Sequence, residues 1–354
     1  MISHYENVLL QTKHGVVSFL SNSTAEAFMS PIIWLAFLLF ILLMVSLDLG
    51  VFHREDRVPT IGNALSWTLV WITMAMLFNG IVYLLYENNY AWTGIGAEHL
   101  NGMQAASQYL LAFVLEKSLS LDNIFVIAMI FAYFQVPLEL QHRVLFWGIL
   151  GAVILRGIMI LVGIVLINQF YWVTYLFGAL LLYTAVKMLL IRQETIDPGE
   201  NAMYRIARRY LPFTDKFHGR RFIIFQDGRR VATPLLLALL LVESSDVMFA
   251  VDSIPAVFAV TRDPFIAFTS NIFAILGLRS LYFVLACYIE RFRYLKHSLV
   301  FVLAFVGIKM MLSNHYHIPN AASMVFIVGI LLVGIMASIM GGEKDPVKLK
   351  SPLD

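Results

Sequence analysis

Two segments of the chain place acidic side chains within stretches that are otherwise apolar enough to cross a membrane. The six candidate ligands are Glu116, Asp122 and Asn123 in the first segment and Glu243, Asp246 and Asp252 in the second. A charge at the centre of a bilayer costs at least about 2.5 kcal/mol, so acids there indicate a function. Carboxylate and amide oxygens suit hard divalent ions such as Mg²⁺, Ca²⁺ or Mn²⁺. We therefore predict that these residues bind a divalent cation.

The spacing within each segment predicts which side chains share a helix face. Residues three, four or seven apart lie on one face, whereas residues six apart lie about 120° from each other. Two polar stripes follow, one of Glu116, Ser120 and Asn123 and one of Glu243, Asp246 and Ser253. Ser120 and Ser253 are therefore candidate further ligands. Asp122 and Asp252 lie off the stripes unless the helix is unwound, and Pro255 would favour unwinding because its ring clashes with the carbonyl of Val251.

Basic side chains in the same spans offer a second interpretation. Those that could balance the acids are Lys117, Arg156 and Arg279, with Lys187 and Lys309 either joining them or reaching out to the headgroups. In a purely structural interpretation these pairs only brace the helix bundle. Buried pairs recover their desolvation cost only with excellent geometry. This favours an interpretation in which the basic groups neutralise the acids whenever no cation is bound.

Nitrogen and sulfur ligands are scarce near the two segments. The nine histidines lie outside the spans or at their ends, and the single cysteine, Cys287, is distant in sequence, which disfavours a zinc or copper site. One cysteine also permits no intrachain disulfide. Met248 could either pack or add a soft ligand that favours Mn²⁺. The pair His315 and His317 is a weak indication of a loop metal site.

The composition identifies a membrane protein. The 354 residues are 60% hydrophobic and 14% charged, which excludes a soluble globule. Runs of roughly 20 apolar residues predict membrane-spanning helices. We count about nine, near 32–51, 63–86, 106–132, 144–167, 170–191, 233–259, 266–289, 297–313 and 321–340. The predicted fold is an all-α, polytopic membrane protein.

The distribution of Lys and Arg predicts the orientation in the membrane. Between the spans they fall almost entirely on one side, with only Lys13 and Arg262 on the other. The positive-inside rule then places the N-terminus outside and the C-terminus in the cytoplasm. The first 30 residues are expected to be an extracytoplasmic segment rather than a cleaved signal peptide. The loop 192–232 carries nine basic residues, and we expect it to hold the topology and touch anionic headgroups rather than bind nucleic acid.

Landmarks in spans 3 to 5 recur in the same order in spans 6 to 8. The matched pairs are Asp122 with Asp252, Arg156 with Arg279, and Lys187 with Lys309. Spans 3 and 6 run in opposite directions, so the repeat is inverted, as in many secondary transporters. The predicted units are residues 1–104 with spans 1 and 2, 105–191 as the first repeat, 192–232 as the basic loop, 233–313 as the second repeat, and 314–354 with span 9 and the tail.

Three segments, 47–54, 116–123 and 243–256, resemble the signature segments of the TerC family of integral membrane proteins, in its Alx-type branch. The resemblance extends over essentially the whole chain. It implies a bacterial inner-membrane protein linked to manganese export, tellurite resistance and the response to alkaline pH, with an older description as a redox modulator. It also implies that the acids and Asn123 bind the cation and that Asp48 is a candidate participant.

These observations together lead us to expect a manganese exporter that exchanges the ion for protons. We expect no enzymatic activity and no permanently bound cofactor, since Mn²⁺ is the transported ion. The direction of transport rests on the resemblance alone. Two alternatives stay open: a membrane scaffold or metal-delivery partner that acts through the basic loop, and a membrane-bound redox modulator.

Overall fold

The structure is a computed structural model that describes five stretches of the chain. These are residues 31–45, 61–88, 100–190, 212–286 without 215 and 227, and 295–340 without 314 and 317, together with the single positions 205 and 209. The described residues therefore do not include the two ends of the chain, residues 1–30 and 341–354, or most of the basic loop. They also exclude Asp48, Cys287 and His317.

Within these stretches the chain forms ten bounded helices and one β-hairpin. The helices are α1 Pro31–Val45, α2 Ile61–Glu87, α3 Gly102–Tyr133, α4 Leu138–Gln169, α5 Trp172–Leu190, α6 Pro234–Phe258, α7 Pro264–Leu276, α8 Leu278–Ala286, α9 Leu295–Leu312 and α10 Asn320–Met340. Strands β1 Ile223–Gln226 and β2 Arg229–Ala232 precede α6 and pair antiparallel. The hairpin lies in the basic loop 192–232.

Each of the nine apolar runs overlaps a helix, so the helix positions predicted from hydropathy are confirmed. Among the described residues, five helices are long and apolar enough to cross a membrane, or six with the bent pair α7 and α8 taken as one span. Helix α3 is not among these candidates, and its three charged side chains, Glu116, Lys117 and Asp122, lie within seven residues of each other near its middle. The fold is thus an all-α, multi-pass membrane protein, and the count of nine spans stays a prediction.

The helix starts carry strong local signals. Asn101 and Gln104 form a reciprocal capping box at α3, in which the Gln104 backbone N–H donates to Asn101 Oδ1 at 2.8 Å. Pro234 and Pro264 occupy the first turns of α6 and α7. A backbone N–H in the first turn has no hydrogen-bond acceptor within the helix, so proline loses no hydrogen bond there. The Asp263 carboxylate accepts two backbone N–H bonds at the start of α7. These signals fix where the helices around the acidic residues begin.

A cluster of aromatic rings joins α1, α2, α3 and α7. The Phe78 ring of α2 lies 5.3 Å from Phe37 of α1, 5.8 Å from Tyr109 of α3 and 4.8 Å from Phe273 of α7, measured between centroids. Such pairs contribute about 0.5–1.5 kcal/mol each beyond their buried area. The cluster therefore holds these four helices together.

The break in regular structure occurs in the seventh span and not at Pro255, which corrects the expected unwinding. Helix α6 continues through Pro255 to Phe258, because a proline near a helix end removes few backbone bonds and the Ala259 N–H still donates to the Pro255 carbonyl. Helices α7 and α8 meet at Gly277 with a bend of 41°. A Cβ on Gly277 would lie 2.7 Å from Lys117 Nζ, so glycine leaves room there for the buried ammonium.

Helices α5 and α9 approach closely at two glycines, which gives a test of the packing. A Cβ on Gly178 would lie 2.6 Å from Met311 Cγ and 3.0 Å from the backbone oxygen of Gly307. Because a backbone carbonyl cannot move aside, we expect Gly178→Ala to separate the helices and destabilise the protein by about 1–3 kcal/mol. The measurement is the midpoint of thermal unfolding in detergent.

Gly80→Ala in α2 is the matched control, because no atom lies within 4 Å of the Cβ that it would add. We expect it to be neutral or to stabilise α2 by up to about 1 kcal/mol, as alanine does in a helix interior. Equal unfolding midpoints for the two variants would contradict the close contact between α5 and α9.

Candidate cation site

Charged side chains from three helices meet deep inside the bundle. Glu116 lies near the middle of α3, Arg156 near the middle of α4, and Asp246 midway along α6. Their exposed fractions are 0%, 1% and 9%. Together with Asn123 and Ser253 they form what we call the carboxylate–arginine cluster.

Arg156 joins the two acidic segments. Its Nη2 and Nε donate to the two carboxylate oxygens of Asp246 at 2.7 and 3.1 Å, a bidentate arrangement. Its Nη1 forms an ion pair with Glu116 Oε1. One guanidinium therefore holds a carboxylate from each segment, as expected if basic groups neutralise the acids when no cation is bound.

Two further hydrogen bonds define how α3 and α6 face each other. Asn123 Nδ2 donates to Asp246 Oδ1 at 3.1 Å, and Ser253 Oγ donates to Glu116 Oε1 at 3.4 Å. The two contacts occur in opposite order along the two helices, so α3 and α6 pack antiparallel. Each helix thus supplies one acid and one neutral polar side chain to the partner helix.

Glycines bring α4 close enough to insert Arg156 between these helices. A Cβ on Gly148 would lie 3.2 Å from Val242, and a Cβ on Gly151 would overlap the carboxylate of Glu243. A Cβ on Gly157 would lie 2.9 Å from the Phe268 ring of α7. Helix α4 therefore fits against both α6 and α7 along this glycine-lined face.

Three buried oxygens on one face of α3 lack a partner. They are Glu116 Oε2, Ser120 Oγ and Asn123 Oδ1, and none has a hydrogen bond within the described part of the chain. An unsatisfied buried polar atom costs roughly 1–3 kcal/mol, so three on a single stripe call for an explanation. Hard cations coordinate oxygen atoms. These three oxygens accept no hydrogen bond in the described part of the chain, so they are available as ligands.

Asp122 and Asp252 lie off the cluster, as their spacing predicted for a regular helix. Asp252 accepts a hydrogen bond from Thr184 Oγ1 of α5 at 2.8 Å, and the Lys187 ammonium is within electrostatic reach of it. Asp122 lies within electrostatic reach of Lys296. Glu243 was predicted on the stripe with Asp246, and it lies within electrostatic reach of that carboxylate, but its own half-buried carboxylate packs against Gly151 of α4. The structure therefore brings together Glu116, Asn123 and Asp246 of the six candidate ligands, with Ser253.

No group of three His, Cys, Asp or Glu side chains in metal-binding arrangement occurs among the described residues. The cluster contains two carboxylates, and the Arg156 guanidinium is paired with both of them. Metal binding by the six predicted residues stays a prediction. Met248 is 55% exposed and points away from the cluster, so the structure does not support a thioether ligand there.

The remaining basic residues have different partners. Lys117 Nζ donates at 3.1 Å to the carbonyl of Ala274, in the last turn of α7, where the helix dipole favours a cation. Lys309 Nζ donates to Asn320 Oδ1 at 2.9 Å, and Lys187 is exposed. Arg279 is buried in α8. Three residues, Lys117, Arg156 and Arg279, were predicted to balance the acids. Among the described contacts, Arg156 pairs with Glu116 and Asp246.

The segment that contains this cluster matches a known family. The pattern described as "Integral membrane protein TerC family" matches residues 101–345, well over half of the chain. The chain belongs to the TerC family. The resemblance to the TerC family is thereby confirmed, and two of the three signature segments, 116–123 and 243–256, lie within the matched residues.

Bacterial relatives of this TerC protein cover nearly its whole length. The membrane protein STKORF319 of Myxococcus xanthus is 46% identical over 317 residues, which cover 90% of this chain and 95% of the relative. The proteins named "Putative membrane-bound redox modulator Alx" in Salmonella typhi and Escherichia coli K12 are 43% and 45% identical, over 91% and 86% of this chain and 98% and 93% of theirs. No solved structure matches the chain.

Two polar side chains that contact charged residues of the TerC protein were not predicted from the sequence. Asn271 of α7 is fully buried, and its Oδ1 lies 3.5 Å from Arg156 Nη1. Thr184 of α5 is the partner of Asp252. A signal for the first was present, because Thr269, Ser270 and Asn271 are consecutive polar residues in an otherwise apolar span. Thr184 has no comparable signal.

Proposed function

We propose that this TerC protein is an inner-membrane transporter of divalent cations that exports Mn²⁺, with the carboxylate–arginine cluster as its ion site. The observation that carries the proposal is the stripe of three unpaired oxygens on α3, beside two acids held by a single guanidinium. The oxygens and carboxylates form the ligand chemistry that a hard divalent ion requires.

The charges of the cluster suit an exchange of partners. With Arg156 in place, two carboxylates and one guanidinium leave one negative charge in excess. A divalent ion would balance both carboxylates by itself if Arg156 moved aside, and protons could replace the ion afterwards. Sites that alternate between a metal ion and protons or arginine are what an antiporter needs. Asp122, Glu243 and Asp252 would contact the ion on its way to or from the cluster.

The contacts also support an inverted repeat of three plus three spans, with nine spans in all. If Glu116 corresponds to Asp246 and Asn123 to Ser253, the hydrogen bond from Ser253 to Glu116 is the two-fold equivalent of that from Asn123 to Asp246. The pairing of α3 with α7 likewise corresponds to that of α4 with α6. A site between inverted repeats is typical of secondary transporters. We propose the orientation with the N-terminus outside and the C-terminus in the cytoplasm.

The name carried by the relatives offers an alternative function in redox modulation. A chain with one cysteine cannot form the intrachain dithiol that such chemistry commonly uses. A scaffold or metal-delivery role would instead act through the basic loop and tolerate substitution of the buried acids. The buried acid–arginine contacts favour transport over both alternatives.

The experiment that tests the proposal is ion flux into proteoliposomes that contain the pure protein, with Mn²⁺, Ca²⁺ and Mg²⁺ compared and a pH-sensitive dye inside. We expect Mn²⁺ flux coupled to proton movement, and its loss in Asp122→Asn and in Asp252→Asn, since each variant removes a carboxylate that we place on the path of the ion. The protein must still reconstitute as a single folded species.

Two outcomes would count against parts of this proposal. Full flux in both variants would show that transport does not require Asp122 or Asp252, so that only the cluster would remain as the proposed ion site. No flux of any ion, from protein that is folded and binds Mn²⁺, would favour metal delivery over transport.

A further inference from the structure

The β-hairpin before α6 has two unlike faces. Its register pairs Ile224 with Val231 on one face, and both are buried. On the other face Phe225 pairs with Arg230, whose guanidinium lies 5.7 Å from the centre of the phenylalanine ring. Phe225 is 75% exposed and its neighbour on that face, Ile223, is 48% exposed. The hairpin thus presents an apolar and basic surface outward.

The helix bundle holds this hairpin beside the ends of two helices. Thr233, which directly precedes α6, donates its hydroxyl to the carbonyl of Arg221 at 2.8 Å and its backbone N–H to that of Phe222 at 3.0 Å. The Arg143 guanidinium of α4 lies 5.2 Å from the centre of the Phe222 ring. Because α4 and α6 are both apolar enough to span a membrane, the hairpin lies where they meet the bilayer surface.

The stretch that forms the hairpin is rich in exposed basic side chains. Residues 212–233 contain five of them, Lys216, Arg220, Arg221, Arg229 and Arg230, and all five are exposed. The same stretch contains only Asp215 and Asp227 as acids. Arginine binds phosphate with a planar fork of donors, and an aromatic ring beside it suits the boundary between headgroups and acyl chains. A surface that combines both features fits an anionic lipid layer better than it fits water.

We propose that the outer face of this hairpin, formed by Ile223, Phe225 and Arg230, docks on the anionic headgroups of the adjacent bilayer leaflet. The two apolar side chains enter the headgroup region, and the flanking arginines bind lipid phosphates. In the orientation proposed above this is the cytoplasmic leaflet, where anionic lipids attract basic segments. The hairpin is then a structured lipid-binding element, which adds the insertion of apolar side chains to the headgroup contacts expected of the basic loop.

The test measures the depth of a spin label in bilayers of defined composition. Cys287→Ser removes the only cysteine, and Ile223→Cys then carries the label while Phe225 and Arg230 stay intact. Gln226→Cys is the matched control, since Gln226 is exposed but lies on the opposite face of the hairpin. The readout is the ratio of collision with oxygen, which enters the membrane, to collision with a water-soluble nickel chelate.

We expect a severalfold higher ratio at 223 than at 226 in vesicles of phosphatidylcholine with phosphatidylglycerol, and a smaller difference in phosphatidylcholine alone. Phe225→Ser and Arg230→Gln, each added to the labelled protein, should lower the ratio at 223. If Ile223→Cys does not fold, a label at Phe225→Cys gives the same comparison.

Two results would overturn the proposal. A water-like ratio at 223 in both vesicle types would mean that the surface is open to a soluble partner instead. Equal ratios at 223 with and without phosphatidylglycerol would show that anionic lipid does not contribute to the docking. The test measures depth and not flux, so its result does not depend on the proposed transport function. Both leaflets of the vesicles have the same composition, so the result does not depend on the proposed orientation either.

Discussion

Arg156→Met is expected to lower the free energy of unfolding by about 3–5 kcal/mol, the range for removing one partner from a buried ion pair. The substitution leaves the Glu116 and Asp246 carboxylates deep in the bundle without the guanidinium that now binds both. The methionine fills much of the space of the arginine stem, so the cost comes from charge rather than from a cavity. The measurement is the unfolding midpoint and the yield of monodisperse protein in detergent.

Two companion variants separate charge from packing. Arg156→Lys keeps the positive charge but loses the bidentate contact with Asp246, so we expect an intermediate loss of stability. Arg156→Met combined with Glu116→Gln and Asp246→Asn removes all three charges, and we expect it to recover most of the lost stability. If the triple variant is as unstable as Arg156→Met, the cost does not arise from unpaired carboxylates.

Glu116→Gln is expected to reduce Mn²⁺ flux at least about tenfold, equivalent to about 1.4 kcal/mol of lost ion binding. The amide can still accept a hydrogen bond from Arg156 through its remaining oxygen, so the protein should fold. It lacks the charge that a divalent ion requires, and an NH₂ group would replace either the unpaired Oε2 or the oxygen that now binds Arg156. Flux into proteoliposomes at equal protein density measures the effect.

Glu87→Gln is the matched acid-to-amide control in the same assay. Glu87 is exposed at the end of α2, where its carboxylate accepts the backbone N–H of Gly102 at 3.0 Å. We expect flux close to that of the unmodified protein. Equal flux in Glu116→Gln and Glu87→Gln would show that the buried cluster only braces the bundle, as in the purely structural interpretation.

These two predictions distinguish what Arg156 and the acids each contribute. If Arg156 neutralises the acids between transport events, its loss should affect stability first, whereas loss of Glu116 should affect transport first. A fold that used the three groups only for stability would show both effects together. The triple variant, Arg156→Met with Glu116→Gln and Asp246→Asn, also tests this distinction in the flux assay. We expect it to be stable but unable to transport Mn²⁺.

Much of the local structure around the cluster followed from the sequence. Runs of apolar residues gave the helix positions, because burial in lipid demands about 20 such residues per crossing. The helical period placed Glu116, Ser120 and Asn123 on one face and Asp122 off it, and the three oxygens left unpaired in the structure are on that stripe. The sequence also indicated that buried basic groups neutralise acids.

Only the tertiary structure decided which side chains meet. Lys117 adjoins Glu116 in sequence, but its ammonium binds the Ala274 carbonyl, whereas Arg156, 40 positions away, binds Glu116. Asp252 similarly binds Thr184, a residue with no sequence signal. The bend occurs at Gly277 and not at Pro255, and the absence of a side chain at that glycine leaves room for Lys117 and Trp71. The sequence by itself determined the helices and their polar faces, since these depend on local spacing. Partners across helices depend on which faces pack together, and residues distant in the chain, such as the glycines of α4, set that packing.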